Sequence, residues 1–279
     1  MSYKTILVHV DESSRYHLRI RLAAEIAKTQ GAHLTGVAVT GVSRYIYQDK
    51  NFSAGDPNLA AHMKALHERA ERAVASFDKI AHELGVPSCE SLVANDEAEG
   101  GIVLLARYSD LIVVGQTSRD EPSPSVLPDF PEYVVLHAGR PVLIIPYAGS
   151  FATIGRRAVI AWDASREATR AVNDALPLLQ QAEQVHIAVF NPPSGRPDAD
   201  QQAGPQLARF LARQGVQAEV SMHKTSNDIG NALLSLAHDL DSDLIVMGAY
   251  GHSRFREMIM GGVSHTILGS MTVPVLMSH

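Results

Sequence analysis

Two groups of glycines in this chain are spaced for chemistry. Gly248-Ala249-Tyr250-Gly251 closes an apolar run, Leu244-Ile245-Val246-Met247, and a second pair, Gly261-Gly262, stands just before Val263-Ser264-His265-Thr266. Glycine permits positive φ and lets backbone N–H groups come close to an anion. A helix starting near Gly262 adds unpaired amides and the positive end of its dipole, and Ser264 can add a hydroxyl. Together these groups suit the oxygens of a phosphate. Asp163 ends another apolar run, Ala158-Val159-Ile160-Ala161-Trp162, two residues before Ser165. It either caps the helix that follows or faces a ligand.

The elements that must position these residues are written twice. Lys4-Thr5-Ile6-Leu7-Val8-His9-Val10-Asp11 matches Arg156-Arg157-Ala158-Val159-Ile160-Ala161-Trp162-Asp163; Ser109 to Gly115 matches Ser242 to Gly248; Pro141-Val142-Leu143 matches Pro274-Val275-Leu276. The last two matches share one register, so the stretch between them aligns without gaps. The first has a longer offset, and the extra residues of the N-terminal copy are assigned to the polar, aperiodic stretch 41–58. Two domains follow, 1–148 and 154–279, with 147–153 as a short linker.

Within the second copy the pattern predicts strands over 157–162, 184–190, 217–223, 244–248 and 273–277, and helices over 165–180, 203–214, 227–240 and 263–270. Continuous Val/Ile/Leu runs indicate strands buried on both faces of a parallel sheet. The order predicts two tandem α/β domains, each an open, mostly parallel, five-stranded doubly wound sheet flanked by helices. Ligands bind such sheets at the carboxyl ends of the strands, where the winding reverses. The apolar final strands, Val142-Leu143-Ile144-Ile145 and Val273-Pro274-Val275-Leu276, would invite aggregation as bare edges, so the two copies are expected to pair about a pseudo-two-fold axis and shield them. Association of two whole chains into a homodimer stays open.

The spacing Gly-x2-Gly-x9-Gly at Gly248, Gly251 and Gly261, with Asp243-Leu244-Ile245-Val246-Met247 before it and Val273-Pro274-Val275-Leu276 after it, resembles the ATP-binding signature of universal stress proteins. Both copies of the opening strand, ending at Asp11 and Asp163, are similar to that family's first strand. The resemblance covers nearly the whole chain. It implies a Rossmann-like fold and an adenine nucleotide, ATP or a relative with Mg, held by the C-terminal copy of a cytoplasmic stress-response regulator. Trp162 and Asp163 would lie at the adenosine end, and Val189 would hold adenine through its backbone. Met247 and the glycines would line ribose and phosphates, with Val263 and Ser264 at the phosphate end. The family places Ser or Thr after the third glycine; Gly262 stands there instead, which removes one hydroxyl bond of about 1.5–3 kcal/mol.

The first copy keeps Asp11 and Gly115, but the shared register puts Ser118, Pro128, Asp129 and Pro131 where the second has Gly251, Gly261, Gly262 and Ser264. Proline has no N–H and a carboxylate repels phosphate, so this copy reads as a degenerate partner.

A net charge of -6 with interspersed signs argues against nucleic acid and membrane partners. Among thirteen histidines there is no H-E-x-x-H and no Cys/His cluster. The single cysteine, Cys89, is placed in a buried strand and excludes an intrachain disulfide. No catalytic residue is identified. Besides a regulatory binding module, two functions remain: a slow ATPase or adenylate-forming enzyme using the same pocket, and a nucleotide-independent scaffold.

Overall fold

The computed structural model describes residues 2–43, 57–118, 120–121, 126–191, 202–251 and 262–279. Gly261 and most of the 41–58 excursion lie outside the described residues. The chain divides into two compact units, Ser2–Arg140 and Pro141–His279.

The first unit holds β1 (Thr5–His9), α1 (Tyr16–Gln30), β2 (His33–Val39), α2 (Pro57–Glu83), β3 (Cys89–Ala94), α3 (Ala98–Ala106), β4 (Leu111–Gly115) and α4 (Phe130–His137). Its strands run parallel in the order β3-β2-β1-β4, with Val8 level with Gly36 on one side and Val113 on the other. Helix α1 buries the stripe Arg19, Leu22, Ala23, Ile26 at helical spacing and stops at Gly31, whose left-handed φ of 62° closes the last turn. Cys89 heads β3 and is exposed, not buried. The reason is position: β3 has one neighbour in its unit, so the side chains of this edge strand are only partly covered.

The second unit holds β5 (Val142–Ile145), β6 (Arg157–Ala161), α5 (Arg166–Leu179), β7 (Gln184–Phe190), α6 (Ala203–Arg213), β8 (Glu219–His223), α7 (Ile229–Asp239), β9 (Leu244–Gly248), α8 (Val263–Ser270) and β10 (Val275–Ser278). The strand order is β5-β10-β9-β6-β7-β8, all parallel except β5 against β10. The last strand of the first repeat thus belongs to this unit, where Leu143 faces Leu276 across an antiparallel ladder. The two terminal strands cover each other's edges, as their apolar sequences require.

Leu244, Ile245 and Val246 are fully buried, each worth about 1.5–3 kcal/mol of apolar burial. Helix α5 buries Ala168, Ala171, Val172, Ala175, Leu176 and Leu179, and starts at Ser165, whose hydroxyl accepts from Ala168 N at 3.0 Å. In each unit the winding reverses beside the opening strand: β1 lies between β2 and β4, and β6 between β7 and β9. Asp11 and Gly115 therefore flank one switch point, and Asp163 and Gly248 the other.

Candidate nucleotide site

In the second unit, β6 and β9 run side by side, with Ile160 level with Val246 and Ala161 with Met247. Trp162 extends β6 by donating its backbone N–H to Ala188 O at 2.9 Å, while its indole N–H is buried without a partner among the described residues. Asp163 is exposed, and its Oδ1 accepts from Ser165 N at 2.9 Å. This is an Asx turn that leads into α5. Val189 and Met247 are buried.

Gly248 ends β9 where the first turn of α5 passes. A Cβ there would run into Ala168 N and stand 2.6 Å from the carbonyl carbon of Glu167. Only glycine fits without moving backbone. A Cβ on Gly251 would meet the Glu167 carboxylate, 3.0 Å from Oε2. Gly262 is the N-cap of α8 with nothing within 4 Å of its Cβ position, and Val263 begins the helix. Ser264 is buried and accepts from Tyr250 N at 3.3 Å, tying the start of the glycine loop to α8.

Ala164, Asn191 and Tyr250 follow the carboxyl ends of β6, β7 and β9, with φ of 61°, 45° and 55°. Left-handed backbone at a side-chain-bearing residue costs about 1–2 kcal/mol. With Asp241, these are the non-glycine residues of positive φ among the described residues, and all four belong to the second unit. The strain at Asn191 is held by a reciprocal pair of hydrogen bonds, Thr225 N to its Oδ1 at 2.8 Å and its Nδ2 to Thr225 O at 2.9 Å. Such strain collects at ligand clamps.

The matching region of the first unit is filled from within. Asp11 makes the same Asx turn, its Oδ1 accepting from Ser13 N at 3.0 Å, but it also binds Arg19 Nη2 at 2.7 Å. Arg19 is 3% exposed and donates from Nε to His9 O at 2.7 Å. A Cβ on Gly115 would collide with its guanidinium, so the arginine occupies the space beneath that glycine. Glu121 accepts from Ser14 N at 2.7 Å and Ser14 Oγ at 2.8 Å, placing a carboxylate where an anion would meet the loop ahead of α1. Phe130, the counterpart of Val263, packs 4.9 Å from the His9 ring. Only a small recess persists beside these groups, lined by His9, Asp11, Thr40 and Arg69 among others.

Burial would raise the Asp11 carboxyl, but Arg19, His9 and the Ser13 hydrogen bonds together hold it well below the usual carboxylate range. Burial lowers His9 to about 4, with the Asp11 charge opposing and the Arg19 charge adding to the shift. The first unit thus carries a neutral histidine beside a closed Arg–Asp pair.

Arg19, Glu121 and Glu167 fall outside the residues that the sequence pattern selects. Arg19 has a signal, since it sits on the apolar stripe of α1, where a charge must find a buried partner. Glu121 and Glu167 have none, because their roles depend on loops that meet in space. Among the described residues no group of three or more His, Cys, Asp or Glu is arranged to hold a metal ion, and no helix is long and apolar enough to cross a membrane.

Two solved structures that span nearly the whole chain share this architecture. A universal stress protein from Archaeoglobus fulgidus DSM 4304 is 18% identical, covers 98% of this chain with 95% of its own, and superposes with a TM-score of 0.75. A putative universal stress protein from Pseudomonas aeruginosa UCBPP-PA14 is 16% identical over 99% of this chain and 93% of that one, with a TM-score of 0.62. The structure of the universal stress protein from Archaeoglobus fulgidus in complex with dAMP, 21% identical, covers 52% of this chain and 98% of its own at a TM-score of 0.37. No curated protein matches the chain. The family model described as Universal stress protein family matches residues 2–146 and again 155–279, and the chain belongs to the universal stress protein family, with two such domains in tandem.

Proposed function

We propose that this chain is an adenine-nucleotide-binding regulatory protein of the stress response, with one nucleotide, ATP or a relative, held by the second unit. The observation that carries the reading is the contrast at the two switch points. Asp163 is exposed beside a glycine loop and strained strand ends, whereas Asp11 is sealed by Arg19. Trp162 and Asp163 would take the adenosine end, and the Val189 backbone the base. Met247, Gly248 and Gly251 would line the ribose and first phosphates, while the α8 N-terminus from Gly262 through Val263 and Ser264 would face the phosphate end with unpaired amides and its dipole. Gly261 belongs to the same loop by sequence. The fit is supported by the open space around the Gly262 Cβ position and by the tight seat of Gly248 on α5.

A bound Mg ion would neutralise phosphate charge. The chain's own residues do the rest: backbone N–H groups bind and orient the phosphates. Among the described residues of the site no histidine is placed to act as a general base, and signalling by occupancy is the reading favoured over turnover. Calorimetric titration of the whole protein with ATP tests this, with one site per chain expected and with loss of binding in Asp163→Ala.

A further inference from the structure

We propose that Glu167 makes phosphate binding in the second unit depend on a divalent cation, by supplying a carboxylate oxygen to a cation that bridges it to the nucleotide. The proposal deepens the nucleotide reading and rests on it.

Both glycines of the Gly248-x-x-Gly251 turn lie against this one residue. Gly248 faces its main chain, with the Cβ position 2.6 Å from the Glu167 carbonyl carbon, and Gly251 faces its carboxylate, 3.0 Å from Oε2. Glu167 is 7% exposed. Its one charge partner among the described residues is Arg166, at 3.7 Å, whose own side chain is 84% exposed. A solvated arginine at that distance compensates little. The first turn of α5 favours the negative charge through the helix dipole but does not pair it. A buried carboxylate therefore stands beside the amides that are to receive phosphate oxygens.

Two anions brought together there without water between them repel strongly. A hard cation resolves the conflict, because Mg is commonly held by one or two carboxylates together with substrate phosphates. The repeat sharpens the point. Asp11-x-Ser13 and Asp163-x-Ser165 make the same turn, with bonds of 3.0 and 2.9 Å. In that register Arg15 is the counterpart of Glu167. The first unit thus carries a cation where the second carries an anion, so the acidic position is particular to the unit with the glycine loop.

The test is titration calorimetry of the full chain with ATP and with adenosine, each in EDTA and in excess MgCl2. Wild-type protein is expected to bind ATP at least about tenfold more tightly with Mg. In Glu167→Gln the two ATP affinities should fall within about twofold of each other, chiefly because binding in EDTA improves. Adenosine should bind alike throughout, since it brings no phosphate. Glu167→Asp keeps the charge and should keep a preference for Mg, which separates loss of charge from damage to the fold. Glu167→Gln retaining the wild-type Mg dependence, or wild-type ATP binding that ignores Mg, would overturn the proposal. Failure of wild-type protein to bind either ATP or adenosine would instead overturn the nucleotide reading beneath it.

Discussion

Arg19 Nη2 lies 2.7 Å from Asp11 Oδ1, inside a first unit whose opening aspartate would otherwise be the twin of Asp163. The second unit has Ala171 at the position of Arg19. This difference on the buried face of a helix is one of several that separate a closed copy from an open one, and the separation has consequences for stability as well as for binding.

The buried His9 gives the first of these. Its folded value of about 4 lies below the ordinary 6.5, so between these values the unfolded chain binds more protons than the folded one. Stability therefore rises with pH across that window and is lost as pH falls from 6.5 toward 4, by about 3 kcal/mol at most. Urea denaturation of wild type and His9→Gln at pH 4.5 and pH 7 checks this. The variant should show a flatter pH dependence, and an unchanged slope would remove His9 as its source.

Asp11→Ala and Asp163→Ala should behave differently. The first leaves Arg19 buried without its partner and should cost about 3–5 kcal/mol of stability, with little direct effect on ATP affinity. The second removes an exposed side chain and should weaken ATP binding while costing no more than about 1 kcal/mol through the lost turn. Paired denaturation and titration experiments distinguish them, and equal loss of ATP affinity in both would contradict the assignment.

Much of this is legible in the sequence, for identifiable reasons. The runs Leu111–Gly115 and Leu244–Gly248 are apolar at every position before the glycine, a pattern that a doubly covered parallel strand requires, and both are strands. The start of α8 at Val263 follows from the glycine pair that precedes it, which ends the loop at Gly262. Cys89 misleads because its neighbours resemble a strand while nothing local says that the strand is an edge. The sealing of the first copy by Arg19, Glu121 and Phe130 is legible only in part, through Pro128 and Asp129, because those contacts join residues more than a hundred positions apart or set a charge on an apolar stripe.

Gly248→Ala should test the close approach of β9 to α5. The added methyl would meet backbone atoms, which cannot rotate away as a side chain can. A loss of about 1–3 kcal/mol by chemical denaturation is expected, as for other overpacked positions. A stability equal to wild type would mean that α5 can shift freely.

Gly262→Ser offers a gain. The position has a φ of -66°, open space around its Cβ and an N-cap role, so serine fits and caps the helix better. Restoring the hydroxyl should tighten ATP binding by about tenfold, the effect of one charge-assisted hydrogen bond. Unchanged or weakened affinity by calorimetry would place the phosphates elsewhere.

The most direct measurement of all is the stoichiometry of ATP binding to the whole chain by calorimetric titration in MgCl2. An exposed Asp163 beside the glycine loop and a sealed Asp11 predict a value near one, abolished or strongly weakened by Asp163→Ala. A value near two, or binding that survives Asp163→Ala undiminished, would contradict the division of labour between the two units.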